Sequence, residues 1–216
     1  MNVLAGVTRF IFFALIVRPL VLIILGVNIR HKERLPSSGP AIVVANHNSH
    51  LDTMVLMTIL PKKLFSALRP VAAADYFLKT RLLAWFSLEV LRIIPLKRSG
   101  RSREDDPLAA TSAALERGDV LILFPEGSRG EPGELSKFKT GVARLAERHP
   151  DVPIYPLFMA GLERSLPKGE FVIVPFFCDV FVAERLYWNG EKRSFMNELE
   201  NAILKLKTAF DESREH

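Results

Sequence analysis

Apolar positions are spread unevenly along this chain. Residues 1–27 hold two almost unbroken apolar runs, 10–17 and 20–27, with Arg9 before the first and Arg18-Pro19 between them. Further on, apolar runs of about five residues recur at 41–45, 70–73, 92–96, 120–124, 154–160 and 171–177. Continuous runs of that length mark strands covered on both faces, as in parallel sheets. Between them lie stretches with helical periodicity: 49–60, 75–90, 107–117 closed by Gly118, and 141–148. Residues 193–212 place Phe195, Leu199, Ile203, Leu206 and Phe210 at steps of three and four, which predicts an amphipathic helix lying on the core. Strands alternating with helices predict an α/β fold, a mixed but mostly parallel sheet flanked by helices.

The N-terminal segment behaves differently. A spanning helix needs roughly 20 apolar residues with few charges, and Arg18 at mid-bilayer costs about 2.5–3.5 kcal/mol on insertion scales. Pro19 is expected to kink or break a helix there. The preferred expectation is two short helical segments dipping into one leaflet, with Arg18 near the headgroups. A single kinked span and a buried helix of a soluble domain are the alternatives, and a signal peptide fits poorly because no small-residue cleavage pattern follows Val27. The basic cluster at 30–34 favours anionic headgroups and a cytoplasmic membrane face. The expected division is a membrane-associated segment, 1–28, and a catalytic domain, 29–216.

Composition narrows the function. The 216 residues suit one domain with an appendage. An excess of 29 Lys and Arg over 24 Asp and Glu gives a net charge of +5, which suits an anionic partner. The positive residues are interspersed with acids and match no nucleic-acid motif, so a nucleic-acid partner is not expected. The lone Cys178 rules out an intrachain disulfide framework and a multi-cysteine zinc site.

Two constellations carry candidate chemistry. Asn46-His-Asn-Ser-His-Leu-Asp52 follows the strand at 41–45 directly. On one continuous helix His47 and Asp52 would lie about 140° apart. They meet if His47 stands on the strand-to-helix loop and Asp52 in the first helical turn, with Ser49 as N-cap. Asp52 then orients the imidazole, and the other ring nitrogen takes a proton from a hydroxyl. Asp52 also fits a plain capping role, and His47, His50 and Asp52 together fit a metal site of a hydrolase. The second constellation is Phe124-Pro-Glu-Gly-Ser-Arg-Gly130 at the end of another buried strand. Its glycines, hydroxyl and guanidinium suit an anion, or else an ordinary surface turn. Glu126 fits two roles, accepting from a substrate hydroxyl or fixing the loop or Arg129. Lys137 and Lys139 extend the basic surface, and Lys97, Arg98, Arg101 and Arg103 offer a second phosphate clamp or a charged loop.

Together these residues resemble the glycerolipid acyltransferase family typified by 1-acylglycerol-3-phosphate O-acyltransferase. The likeness rests on four blocks in order: Asn46 to Asp52, Arg98, Phe124 to Gly130, and Val152-Pro-Ile-Tyr-Pro156. The second block departs from the family pattern, with Arg92 in place of a glycine and no aromatic. The resemblance implies transfer of a fatty acyl group from a thioester, acyl-CoA or acyl carrier protein, to a lysophospholipid hydroxyl, with lysophosphatidic acid as default acceptor and no further cofactor. It makes His47 the general base and Asp52 its orienting partner. It assigns Arg98, Glu126, Gly127, Ser128 and Arg129 to the acceptor phosphate, with Asn46, Ser49 and Lys139 on the same substrate-binding surface. Residues 152–156 would line the acyl region, and oxyanion donors are expected among backbone N–H groups near Asn46 or in the Gly127 loop. A membrane-surface binding module without chemistry is the non-enzymatic alternative.

Overall fold

A computed structural model describes residues 3–49, 51–96, 106–128, 130, 134–162 and 177–214. Its centre is a seven-stranded sheet. In chain order the strands are β1 (Val27–Arg30), β2 (Ala41–Ala45), β3 (Leu68–Ala73), β4 (Ile94–Leu96), β5 (Val120–Leu123), β6 (Ile154–Ala160) and β7 (Cys178–Val182). The spatial order is β1-β7-β6-β2-β5-β3-β4, parallel throughout except for the antiparallel β6/β7 pair. The mixed, mostly parallel sheet expected from the apolar runs is therefore present.

Side chains alternate between two cores, because successive strand residues face opposite sides. Ala41, Val43, Val120, Ile122, Leu157, Val180 and Val182 face one layer, which holds the N-terminal helix and α2 (Leu51–Ile59). Ile42, Val44, Leu121, Ile154 and Phe158 face the other, built from α5 (Ala109–Glu116), α6 (Gly141–Arg148) and α7 (Lys192–Glu212). Every residue of β2 is fully buried, which explains its unbroken apolar run. The predicted C-terminal helix buries Phe195, Leu199, Ile203 and Leu206 as its spacing requires.

Two expectations need correction. The N-terminal segment does not break at Arg18-Pro19. An α-helix, α1 (Val3–Ile11), runs on through π-helical turns at Phe12–Val17 and Leu20–Ile24, and Arg18 and Pro19 keep helical dihedrals. Its buried residues are Ala5, Arg9, Phe13, Val17, Val21 and Leu25, a step of four each time. On an ideal α-helix such a stripe drifts by about 40° per step; the wider π turns take up that drift. One side of the rod stays docked in the core while Leu4, Phe10, Leu15, Leu22 and Ile23 remain exposed. The rod ends at Gly26, whose φ of +59° turns the chain into β1 and whose missing Cβ makes room for the Phe177 ring. The boundary expected at 28/29 thus falls inside β1.

The expected helix over 75–90 is divided into α3 (Ala74–Phe77), α4 (Arg81–Trp85) and a π-helical continuation, Phe86–Val90. Thr80 makes the division: its hydroxyl caps the new start by accepting the Leu83 N–H. The strand expected at 171–177 falls almost wholly outside the described residues, and β7 begins directly after it at Cys178.

Candidate active site

In open parallel sheets the loops past the strand C-termini form the crevice where ligands bind. Here β2 and β5 are neighbours in parallel register, Val44 opposite Leu123, so the loops following Ala45 and Leu123 leave the sheet side by side. This adjacency joins the two constellations.

The first loop is held from beneath by Asn46, which is buried. Its Nδ2 donates to the Met159 carbonyl (2.8 Å) and its Oδ1 accepts the Met159 N–H (2.7 Å). The side-chain amide continues the β2/β6 ladder after the backbone has left it. Asn46, expected on the substrate-binding surface, commits its side-chain amide to this bracket and so holds the loop in place.

Ser49 closes the start of α2. Its Oγ accepts the Leu51 N–H (3.3 Å) and its carbonyl accepts the Asp52 N–H (3.2 Å). Asp52 reaches back, and its Oδ2 accepts from the N–H groups of Ser49 (2.9 Å) and Asn48 (2.8 Å). The same oxygen stands 2.9 Å from Nδ1 of His47. A carboxylate only accepts, so Nδ1 is the donor in this pair and Nε2 stands outside it. The capping and orienting readings of Asp52 are therefore both true of one atom. Burial separates the partners: the Asp52 side chain is 2% exposed and that of His47 is 20% exposed, which leaves the ring reachable from solvent.

The second loop completes the support. Phe124 stacks on the His47 ring, centroids 4.2 Å apart and planes 20° from parallel. Glu126, buried, accepts the His47 N–H through Oε1 (2.8 Å) and the Ser136 N–H through Oε2 (3.0 Å). Gly130 N–H donates to the His47 carbonyl (2.9 Å). Of the roles open to Glu126, the structure gives it that of fixing the loops. Gly127 has φ +72° and lies under the Lys139 side chain, so close that a Cβ would stand 2.3 Å from Nζ. The Lys139 side chain thus lies against the loop that carries Ser128. Arg98, Arg129 and His50 lie outside the described residues.

The backbone donors expected for an oxyanion are mostly engaged. The N–H groups of His47, Asn48 and Ser49 go to Glu126 and Asp52, that of Gly127 to the Phe124 carbonyl (3.1 Å), and that of Gly130 to His47. Among the described residues no group of three His, Cys, Asp or Glu is arranged to hold a metal. Residues 152–156 run into β6, where Ile154, Tyr155 and Pro156 are buried beside β2. Sequence reasoning missed the Phe124 stack and the Met159 bracket. The only signal for either was an aromatic residue directly after a buried strand and an amide directly after another.

The arrangement offers an oriented, part-exposed imidazole where two strand-end loops meet, with a glycine loop that carries a hydroxyl and has the Lys139 ammonium against it. Comparison with known proteins gives the same direction. A family model described as Acyltransferase matches residues 26–160. The chain is 30% identical over 145 residues to the chloroplastic 1-acyl-sn-glycerol-3-phosphate acyltransferase LPAT1 of Arabidopsis thaliana, covering 67% of this chain and 38% of that protein. It is also 30% identical over 147 residues to human 1-acyl-sn-glycerol-3-phosphate acyltransferase alpha, covering 67% of this chain and 49% of that one. The chain spans less than half the length of either relative. The crystal structure of the 1-acyl-sn-glycerophosphate (LPA) acyltransferase PlsC from Thermotoga maritima superposes with a TM-score of 0.70 at 22% identity, covering 88% of this chain and 73% of that one, which is a likeness of fold.

Proposed function

Because the chain belongs to the acyltransferase family, we propose that it transfers a fatty acyl group from a thioester, acyl-CoA or acyl carrier protein, to the free hydroxyl of a lysophospholipid, lysophosphatidic acid first among acceptors. The carrying observation is the imidazole of His47, fixed at Nδ1 by Asp52, on one face by Phe124 and along its backbone by Glu126.

A thioester is already activated, so no covalent enzyme intermediate is required. The demanding steps are removing the alcohol proton and holding the oxygen against the carbonyl carbon. In this reading Nε2 of His47 takes the proton as the hydroxyl oxygen attacks, and Asp52 stabilises the imidazolium. The C–S bond of the tetrahedral intermediate then breaks, and the leaving sulfur recovers the proton from His47. General-base assistance contributes roughly 10²–10⁴-fold; positioning of the acceptor by its phosphate supplies much of the rest. Gly127, Ser128 and Lys139 form the described part of that phosphate site, and Arg98 and Arg129 are assigned to it by their motif positions.

The metal-hydrolase alternative sits poorly with this geometry. Asp52 Oδ2 already takes three donors, and His47 Nδ1 is one of them. A purely membrane-binding module has no use for so heavily braced an imidazole.

The N-terminal helix is assigned to the membrane surface, with the cytoplasmic face as its side. A rod docked along one flank and apolar along the other fits a helix lying in the plane of the interface. The deciding experiment is thiol release from acyl-CoA and from acyl carrier protein with a panel of lysophospholipids, on the wild type and His47→Ala. Acceptor-dependent release by the wild type alone is expected. Release that persists in His47→Ala removes the base, and no release with any donor removes the activity.

A further inference from the structure

At the far end of the sheet from His47 an open groove of about 570 Å³ follows the edge strand β4. Its floor is Ile93, Ile94 and Pro95, and the α5 residues Ala110 and Ala113 form one wall. Arg69, Arg92 and Arg117 line it, and among the described residues no carboxylate does. Shared acceptors hold these arginines together. Arg69 and Arg92 both donate through Nη1 to the Ser66 carbonyl, at 2.8 and 2.6 Å. Arg69 and Arg117 both pair with Asp119, at 3.0 and 3.2 Å. Arg92 does this from a left-handed backbone, φ +56°, a conformation that costs a non-glycine residue energy and concentrates at binding sites. Burial holds the Arg69 guanidinium below its ordinary value; Arg92 and Arg117 push it the same way, and Asp119 opposes them. Asp119 offsets part of this charge, and an anion entering the groove offsets more.

The groove is separate from the proposed acceptor site. Arg69 lies level with Leu121 and Ile42 across the sheet, and His47 is five residues beyond Ile42. That is about 16 Å along the strands, whereas the phosphate and hydroxyl of a lysophosphatidate are a few bonds apart. Its surroundings identify the source of an anion. Leu88, half-exposed, lines the groove from the π turn Phe86–Val90, and Phe86 of that turn packs edge-on against Phe12 of the N-terminal helix at 5.0 Å. Arg9 of the same helix ties the two together, donating to the Val90 carbonyl at 3.0 Å and the Phe65 carbonyl at 2.8 Å. Leu78 and Leu82, both exposed, add apolar surface on the adjoining helices. The arginines therefore lie close to the helix assigned to lipid, with the exposed Leu82 and Leu88 nearby. Guanidinium forks match phosphate oxygens in pairs, and basic groups at such a surface attract anionic lipid.

We propose that the groove of Arg69, Arg92 and Arg117 binds the phosphate of an anionic phospholipid headgroup, securing the β4 edge to the bilayer. This rests on the reading that the N-terminal helix lies on lipid, and the test separates the two. The full chain is floated with vesicles of phosphatidylcholine alone and with a third of the lipid replaced by phosphatidylglycerol. Wild type is expected on both, more tightly on the anionic vesicles. Arg92→Gln/Arg117→Gln is expected to weaken anionic binding about 30-fold, with binding to phosphatidylcholine and turnover of a soluble short-chain acceptor unchanged. Arg117→Glu, at an exposed side chain, is expected to act in the same direction without disturbing the fold. Wild type on neither vesicle overturns the membrane reading and the groove with it. Binding to phosphatidylcholine with an anionic preference that survives both variants overturns the groove alone. Displacement of the wild type by inorganic phosphate at constant ionic strength assigns the groove to a soluble anion, and loss of carrier-protein-dependent turnover in the variants assigns it to the donor; either result overturns the proposal.

Discussion

Phe124 and His47 stand face to face at 4.2 Å although 77 positions separate them in the chain. One loop thus braces the imidazole on its face while Asp52, from the other, holds its edge. Replacing Phe124 by Leu keeps an apolar neighbour but removes the flat partner. The expected result is a fall in kcat with little change in the acceptor KM, and a loss of stability of about 1 kcal/mol. Steady-state kinetics and thermal melts of the purified variant check both.

Asp52→Asn replaces an acceptor-only group with one that also donates, against three donors. Activity is expected to drop by about 10²–10⁴-fold. Asp52→Ala is expected to lose similar activity and, in addition, about 1–2 kcal/mol of stability through the helix start. His47→Ala, by contrast, should abolish turnover and lose about 1 kcal/mol with the Phe124 stack, while the helix start keeps its acid. Comparing the three melts separates the cap from the chemistry.

Glu126 joins two loops through two backbone donors. Glu126→Gln retains one acceptor oxygen and sets an NH2 against the other N–H. A loss of about 1.5–3 kcal/mol is expected, together with a raised acceptor KM as the Gly127 loop shifts. Denaturant unfolding and acceptor titration read the two effects.

Arg9 is buried, caps two carbonyls and lies over the Phe65 ring, its guanidinium carbon 4.3 Å from the centroid. Arg9→Ala should cost about 2–3 kcal/mol, because charged hydrogen bonds and packing vanish together. Phe10→Asp, on the exposed flank of the same helix, should leave the melt unchanged in detergent and weaken vesicle flotation. The reverse pattern would exchange the docked and lipid-facing sides.

Arg148, by its hydrogen bonds, and then the Leu108 N–H hold the Asp106 carboxyl below the usual carboxylate value. A folded value below the unfolded one means the pair contributes fully above the unfolded value and loses its contribution as pH falls through the folded one. Arg148→Gln should therefore melt slightly lower than wild type at neutral pH, and the gap should close in strong acid. Melting temperatures across an acid series check the sign.

The central strands were legible because burial on both faces leaves an unbroken apolar run, as at 41–45 and 120–124. The His47–Asp52 pair was legible because its five-residue spacing works only across a strand-to-helix corner. The strand β1 was not: its Val-Asn-Ile-Arg alternates as an edge strand does and sits between an apolar segment and a charged cluster. The continuity of the N-terminal helix was hidden because the local preference of proline for a break yields to π turns that keep a buried stripe in line. The Phe124 stack, the Met159 bracket and the arginine groove all depend on which strands become neighbours, a tertiary fact that no local window contains.

A single oxygen of Asp52 serves both the corner of the fold and the orientation of the proposed base. A substitution at position 52 disturbs both duties, whereas one at position 47 touches only the second. A descendant that abandoned transfer would be expected to drift at position 47 and retain the acid, since losing it still weakens the helix start.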